Sequence, residues 1–280
     1  MTDITEFDLD AFVAATLAED AGAAGDITSQ AVIPATARFT GVMDSRDSIT
    51  VCGLDIAAAF FRHLDPDAGI ELLVEDGRRV AAGTDLMRIE GNARAMLTAE
   101  RPALNTVQHL SGIATMASRY VDAVEGTGAV ILDTRKTHPG LRVLQKYAVR
   151  TGGATNHRMT LGEQPMIKDN HVAVAGSVGE AVRRAKAAGL TDIVVEVDRL
   201  DQIGPALEAG ADRLLLDNMP PAMLREALAL VERRVPTEAS GGVNLETVRA
   251  IAETGVDFIS VGRIIQSSPA ADVGLDFQAL

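Results

Sequence analysis

Tryptophan is absent from this 280-residue chain, and aromatic residues make up only 3% of it. The core must therefore be filled by Ala, Val, Leu and Ile, which suits close packing of helices on sheet, and a surface built to stack nucleic-acid bases is disfavoured. A single cysteine, Cys52, excludes an intrachain disulfide and a multi-cysteine metal site, in keeping with a reducing compartment. No apolar run approaches the roughly 18 residues that span a bilayer. The stretch Met1 to Asp10 holds four acidic residues and no basic one, the wrong charge for a secretion signal. Positive charge is scarce overall: 26 Lys and Arg face 39 Asp and Glu, a formal charge of −13. Attachment to nucleic acid or acidic lipid depends on neutralising phosphates with Lys and Arg, so neither is expected as a partner. The expectation is a soluble, cytoplasmic protein whose basic sites are local.

What is present is ordinary for a globular protein, with 47% apolar and 23% charged residues. Leu9, Phe12, Val13, Thr16 and Leu17 share one face of a helix predicted over Asp8 to Glu19 and ended by Gly22 and Gly25. Extended stretches follow at Ala37 to Met43 and Ser48 to Cys52, a helix at Leu54 to His63, and further strands at Ile70 to Val74 and Asp85 to Ile89. Turns fall at Asp76-Gly77 and Gly83. Strands and helices do not alternate one for one here, which marks α+β character. A long helical pattern runs from Ala93 to Val124 with a break predicted at Ser111-Gly112. Beyond Ala129 strand and amphipathic helix alternate regularly, with Ser177 and Glu180 opening one helix and Asn244 another.

The apolar runs of this second half end on charge or on glycine. Val130-Ile131-Leu132 leads into Asp133-Thr134-Arg135-Lys136, Met166-Ile167 into Lys168, Ile193-Val194-Val195 into Glu196, Leu214-Leu215-Leu216 into Asp217, Val235 to Ala239 into Ser240-Gly241-Gly242, and Phe258-Ile259-Ser260-Val261 into Gly262. Buried strands gain nothing from such endings unless the ends converge on a ligand, as they do at the C-terminal mouth of an α/β barrel. Six strands are counted, fewer than the eight of a full barrel. Arg135-Lys136, His157-Arg158 and Lys168 would gather cations for a polyanionic ligand. Glu196 and Asp217, on consecutive strands, suit Mg²⁺ shared with a substrate diphosphate, or the stabilisation of positive charge on a sugar carbon. The glycine loops after the last two strands suit a phosphate. His63 and His109 read as helix-surface or packed residues, His138 before Pro139 as a helix entry, and His171 as a group that orders the Lys168 loop.

Glu100-Arg101-Pro102-Ala103-Leu104-Asn105, Leu110-Ser111-Gly112-Ile113-Ala114-Thr115 and Asp133-Thr134-Arg135-Lys136-Thr137-His138-Pro139-Gly140-Leu141-Arg142 resemble quinolinate phosphoribosyltransferase. Lys146-Tyr147-Ala148-Val149, Asn156-His157-Arg158, Ile167-Lys168-Asp169-Asn170-His171, Leu216-Asp217-Asn218-Met219 and Glu238-Ala239-Ser240-Gly241-Gly242 continue the likeness in order. It implies an incomplete α/β barrel of about six parallel strands over 113–267, an N-terminal α+β sandwich domain over 1–112, and a tail, 268–280, packing on that domain. The implied reaction joins phosphoribosyl pyrophosphate to quinolinate with Mg²⁺, giving nicotinate mononucleotide, CO₂ and pyrophosphate. By position, Arg135, His157, Arg158 and Lys168 would bind the pyridine carboxylates, and Lys136 and Lys168 the pyrophosphate. Glu196 and Asp217 would serve Mg²⁺ and ribose, and Ser240, Gly241 and Gly262 the 5′-phosphate. Arg101 would reach the pocket from the partner subunit of a homodimer. Lys136, Lys168, Glu196 and Asp217 are the residues expected to act in catalysis.

Two segments depart from the family pattern: Asp44 to Ile49, and Arg263-Ile264-Ile265-Gln266, where a small residue and a Thr-His pair are usual. They leave open a paralogue of the same fold, such as the ModD-like proteins of molybdenum transport. A Schiff-base barrel enzyme using Lys168, or a silent anion-binding protein, would also account for the strand ends.

Overall fold

Asp8 opens the first helix, α1 (Leu9–Ala21), by accepting a hydrogen bond from the Ala11 amide at 2.9 Å. The face read from the sequence is the face that packs: Val13 and Leu17 are buried, and the Phe12 ring meets Phe60 edge-on at 5.9 Å. Gly22, at φ 60°, ends the helix. The computed structural model describes residue 4 and residues 7–280, so part of the acidic N-terminal stretch lies outside the described residues. The chain divides into two compact units, Met1–Ser118 with Val143–Gly153 and Ser268–Leu280, and Arg119–Arg142 with Ala154–Ser267. Val143–Gly153, which a single boundary at 112/113 leaves with the barrel, belongs to the first unit.

In the first unit α2 (Ile27–Val32), β1 (Arg38–Ser45), β2 (Ile49–Thr50), α3 (Leu54–Leu64), β3 (Gly69–Leu72), β4 (Arg79–Val80) and β5 (Thr84–Asn92) follow α1. They lead into α4 (Ala93–Ala123) and, beyond one strand of the other unit, α5 (Arg142–Thr151). Strands β3, β5 and β1 form an antiparallel sheet completed by a strand from the C-terminal end, Val273–Ala279, which pairs with β1 along its length. Val273, Leu275 and Phe277 alternate toward one face of that strand, and Phe277 stacks on Phe39 with ring centroids 5.5 Å apart.

The break expected at Ser111-Gly112 does not occur; α4 runs through it unbroken. Both residues serve contacts instead of a turn. Ser111 Oγ accepts from the Cys52 amide at 2.9 Å and donates to the Cys52 carbonyl at 3.1 Å. A methyl group at Gly112 would fall on the carbonyl oxygen of Pro269, a backbone atom that cannot rotate away. Alanine favours a helix over glycine by about 1 kcal/mol. Overpacking against fixed backbone outweighs that, so Gly112→Ala should lower stability by about 1–3 kcal/mol in urea denaturation. An unchanged or raised urea midpoint would contradict the close approach.

The second unit alternates strand and helix: β6 (Val130–Leu132), β7 (Met166–Ile167), α6 (Asp169–Ala175), α7 (Val178–Ala187), β8 (Val194–Val197), α8 (Ile203–Glu208), β9 (Arg213–Asp217), α9 (Pro221–Val231), β10 (Thr237–Ser240), α10 (Val248–Ala252), β11 (Phe258–Ser260) and α11 (Arg263–Gln266). The C-terminal strand is β12 in this order. All six strands of the unit's sheet are parallel, ordered β6-β11-β10-β9-β8-β7. β6 and β7 are not hydrogen-bonded neighbours, and the outer edge of β6 is bridged at Leu132 by Thr155. The six-stranded incomplete barrel is as expected. Ser177 caps α7 through the Glu180 amide at 3.2 Å, while the Glu180 carboxylate pairs with Arg183 and Arg184.

Period-two alternation positions the site. Val195, Leu214, Leu216, Ala239 and Ile259 are buried, so each run reads as apolar. Their alternates, Glu196, Leu215, Asp217, Glu238, Ser240 and Ser260, line a common cavity.

Candidate active site

The C-terminal ends of the parallel strands surround a cavity of about 680 Å³. One wall is cationic. Arg135 and Lys136 follow β6, and Arg158 lies on the loop after Thr155. Asp133, fully buried, organises this wall: it accepts from Asn156 Nδ2 at 2.6 Å and from the His157 amide at 2.8 Å. Burial, and then the charge of Arg135, push the Arg158 guanidinium below its usual pKa, against an opposing pull from Glu163. Arg158 donates to the Gln164 carbonyl at 2.5 Å, while Arg135 Nε is buried with no hydrogen-bond partner. Two guanidiniums held near each other, one carrying an unsatisfied donor, are poised for an anion, since an orphaned buried donor costs about 1–3 kcal/mol until it is paired.

Across the sheet the carboxylates stand on neighbouring strands. Glu196 on β8 forms an ion pair with Lys168 Nζ and lies 3.4 Å from the Asp169 amide. Asp217 ends β9, where burial and then the Glu196 charge raise its carboxyl above the ordinary range, opposed by Ser240, Lys168 and Asn218. The Lys168 amide donates to His171 Nδ1 at 2.9 Å, so His171 does order the Lys168 loop.

Between these groups the backbone is built for close approach. Gly241 and Gly242 both have left-handed φ, 90° and 64°, the kind of turn that lets successive amides face an anion. A side chain at Gly241 would strike Asn218, whose amide donates to the Ser240 carbonyl at 2.8 Å and whose Nδ2 donates to Asp217 at 2.6 Å. A Cβ at Gly262 would come within 2.9 Å of Lys136 Cδ and 3.6 Å of Gln266 Oε1. Arg263 and Gln266 line the cavity, whereas Ile264 and Ile265 are buried.

The structure thus brings Arg135, Lys136, His157, Arg158, Lys168, Glu196, Asp217, Ser240, Gly241 and Gly262 to one cavity. Arg101 is not on its wall; it lies exposed on α4 in the first unit. His138 is a turn residue, because its carbonyl accepts from Leu141 and α5 begins only at Arg142. His109 contacts Gln145 Nε2 at 2.8 Å, and His63 is exposed in the last turn of α3. Sequence reasoning missed Glu238, Asn218 and Thr134 on the cavity wall. Glu238 had a signal: an acidic residue two before Ser240 in a strand must share its face.

Glu196 and Asp217 fit Mg²⁺. Among the described residues no group of three or more His, Cys, Asp and Glu forms a metal cage, and Mg²⁺ is commonly held by one or two carboxylates together with substrate phosphates. The Glu196 charge that raises the Asp217 carboxyl is the repulsion that a cation between them would relieve.

Comparisons with known proteins agree with this geometry. Residues 26–111 match the family model of the quinolinate phosphoribosyl transferase N-terminal domain, and residues 113–276 that of its C-terminal domain. The chain is 46% identical over 257 residues to nicotinate-nucleotide pyrophosphorylase [carboxylating] of Mycobacterium leprae, covering 90% of each. It is 40% identical over 260 residues to the probable enzyme of that name from Bacillus subtilis, covering 92% of this chain and 89% of the relative. The crystal structure of NadC from Streptococcus pyogenes superposes with a TM-score of 0.94 at 34% identity over the whole of both chains. The nicotinate-nucleotide pyrophosphorylase structure from Francisella tularensis gives 0.91 at 38% identity, covering 99% of this chain and 97% of the other. With cationic and acidic strand ends about one cavity, and both domain models matched across most of its length, this chain is a member of the quinolinate phosphoribosyl transferase family.

Proposed function

We propose that the chain transfers the phosphoribosyl group of phosphoribosyl pyrophosphate to the ring nitrogen of quinolinate, with loss of CO₂, to give nicotinate mononucleotide and pyrophosphate for NAD biosynthesis in the cytoplasm. The observation that carries this reading is the segregation of charge in one cavity: Arg135 and Arg158 on one wall, Glu196 and Asp217 on adjacent strands, and the Ser240-Gly241-Gly242 turn beside them. Arg135, His157, Arg158 and Lys168 bind the pyridine dicarboxylate. Lys136 and Lys168 face the pyrophosphate, and Ser240, Gly241 and Gly262 the 5′-phosphate. Arg101 serves the same pocket from a second copy in a homodimer.

As the C1–O bond breaks, pyrophosphate leaves with its electron pair and positive charge grows on the ribose. Glu196 and Asp217 stabilise that charge while the pyridine nitrogen bonds to C1. Glu196 and Asp217 would hold Mg²⁺, which would supply countercharge to the leaving group. The ring nitrogen is then cationic, and its charge stabilises the electron pair left on the neighbouring carbon when CO₂ departs; that pair takes up a proton.

Incubation with quinolinate, phosphoribosyl pyrophosphate and Mg²⁺ should release nicotinate mononucleotide and CO₂, and nicotinate should fail as acceptor. Absence of product with quinolinate, or turnover of nicotinate, would overturn the reading. Arg263, where the family pattern has a small residue, adds a cation to the wall beside Gly262. Arg263→Ala should raise the KM for phosphoribosyl pyrophosphate about tenfold, the loss of roughly one charge-assisted hydrogen bond, and leave the quinolinate KM within twofold.

A further inference from the structure

Among the described residues of the cavity wall, Asn218 alone combines a side chain with a left-handed backbone, at φ 55°. Asparagine tolerates that conformation better than most residues, yet glycine takes it at no steric cost. A side chain kept where none would be easier points to a use for it. The backbone of Asn218 closes the strand: its amide donates to the Ser240 carbonyl at 2.8 Å, one step past the Ser240–Asp217 pair that ends the β9–β10 register. Met219 is then buried, and Pro221 opens α9. The side chain of Asn218 meets two other groups. Its Nδ2 donates to Asp217 Oδ2 at 2.6 Å, which settles the sense of the amide, since its oxygen in that place would face another oxygen. Its Oδ1 lies against the glycine turn, where a Cβ built on Gly241 would strike it and come within 2.9 Å of the Asn218 backbone nitrogen.

We infer that Asn218 is a positioning residue: its side-chain amide, wedged between the Asp217 carboxylate and the Gly241 backbone, aims that carboxylate and sets its distance from the phosphate turn. The inference deepens the proposed function, on which it rests for the roles of Asp217 and the turn. Those two groups serve different parts of one substrate, the ribose carbon with its metal and the 5′-phosphate, so their separation must match the phosphoribosyl unit. Ladder hydrogen bonds fix the two backbones but not the plane of the Asp217 carboxylate, which turns about a soft, two-fold torsion. Glu196 repels that carboxylate and Lys168 is paired with Glu196, so its neutral partners, Asn218 and Ser240, are left to hold it. Loss of a group that orients a metal-binding or charged ligand lowers metal affinity or activity about 10- to 100-fold.

The test compares Asn218→Gly with Asn218→Ala in the full-length protein. Both lose the amide, but only glycine takes the left-handed backbone freely. In both, kcat should fall about 10- to 100-fold, while quinolinate affinity in calorimetry stays within twofold because Arg135 and Arg158 are untouched. A role confined to the shape of the turn predicts wild-type kcat in Asn218→Gly and a loss in Asn218→Ala alone; that pattern would overturn the inference. Asn218→Asp keeps the side chain's shape but cannot donate when ionised, so it should lose activity with the glycine variant, and a wild-type rate there would also contradict the assignment. With asparagine side chains ¹⁵N-labelled, the signal that disappears in Asn218→Gly should show a downfield Nδ2 proton in the free protein and move upfield in Asp217→Ala. A signal indifferent to Asp217→Ala would remove the brace. If Asn218→Ala does not fold, as circular dichroism would reveal, the glycine and aspartate variants still decide. If the protein does not turn over quinolinate, the proposed function fails, whereas the amide signal continues to test the pairing with Asp217.

Discussion

Arg135→Ala should abolish detectable quinolinate binding in calorimetry without weakening the fold. Arg135 Nε is buried without a hydrogen-bond partner, and Arg135 crowds a second guanidinium, Arg158, whose pKa it lowers. Alone, then, the side chain is a burden to the folded protein, and its removal should leave the thermal midpoint unchanged or slightly raised. With a dicarboxylate bound, the same group becomes one arm of a charge-assisted pair. Truncating one partner of such a pair costs about 2–5 kcal/mol, on the order of 30- to 5,000-fold in affinity. Arg135→Lys should rescue little, since an ammonium restores charge but not the planar fork. Wild-type affinity in the alanine variant would remove Arg135 from the pocket's chemistry; a collapse of the thermal midpoint would mean its role is structural.

The second large effect is expected at Asp217. Asp217→Asn keeps size and shape and removes the charge, so quinolinate should bind normally while kcat falls by about 100- to 1,000-fold, the usual loss when one transition-state electrostatic partner is deleted. The Asp217 carboxyl lies above its ordinary range because of burial and Glu196. As pH falls it therefore takes up a proton earlier than an unperturbed aspartate, and the stabilising negative charge is lost at that higher pH. The acid limb of the wild-type kcat/KM profile, which reports the free enzyme, should sit above the pH of a free carboxylate and flatten in Asp217→Asn. An unchanged acid limb in the variant would assign it to another group.

The six parallel strands were legible because each packs one set of alternates into the core while its last residues change character abruptly. Leu214 and Leu216 are buried, and Asp217 next in line is a cavity residue. Glycines were harder to read. Gly22 does end a helix, but Gly112 marks a close approach to Pro269 that no local pattern reveals, because the partner is remote in sequence. The short strands β2 and β4 depend on each other for pairing, and the two-residue β4 offers no periodicity to detect. At the site, charged residues that end a strand announced themselves. The signal of Glu238 was weaker, since it lies inside its run and not at the end, and its meaning comes from His157 and Arg213 meeting it from other elements. The 133–136 loop showed its cations but not Asp133's part in arranging them, which only the hydrogen bonds to Asn156 and His157 disclose.

The sheet of the first unit takes one of its strands from the far end of the chain: β1 lies between β5 and β12. Ribosomal synthesis delivers β1 and β5 long before β12, at roughly 5–20 residues per second. During that interval the β1 edge that β12 will cover is open, with Phe39 and Val42 along it and unpaired backbone groups that can recruit another strand. Nascent chains should therefore be most prone to association while the barrel half is being made. Loss of the final strand should trap them there, even though every cavity residue of the second unit would be present.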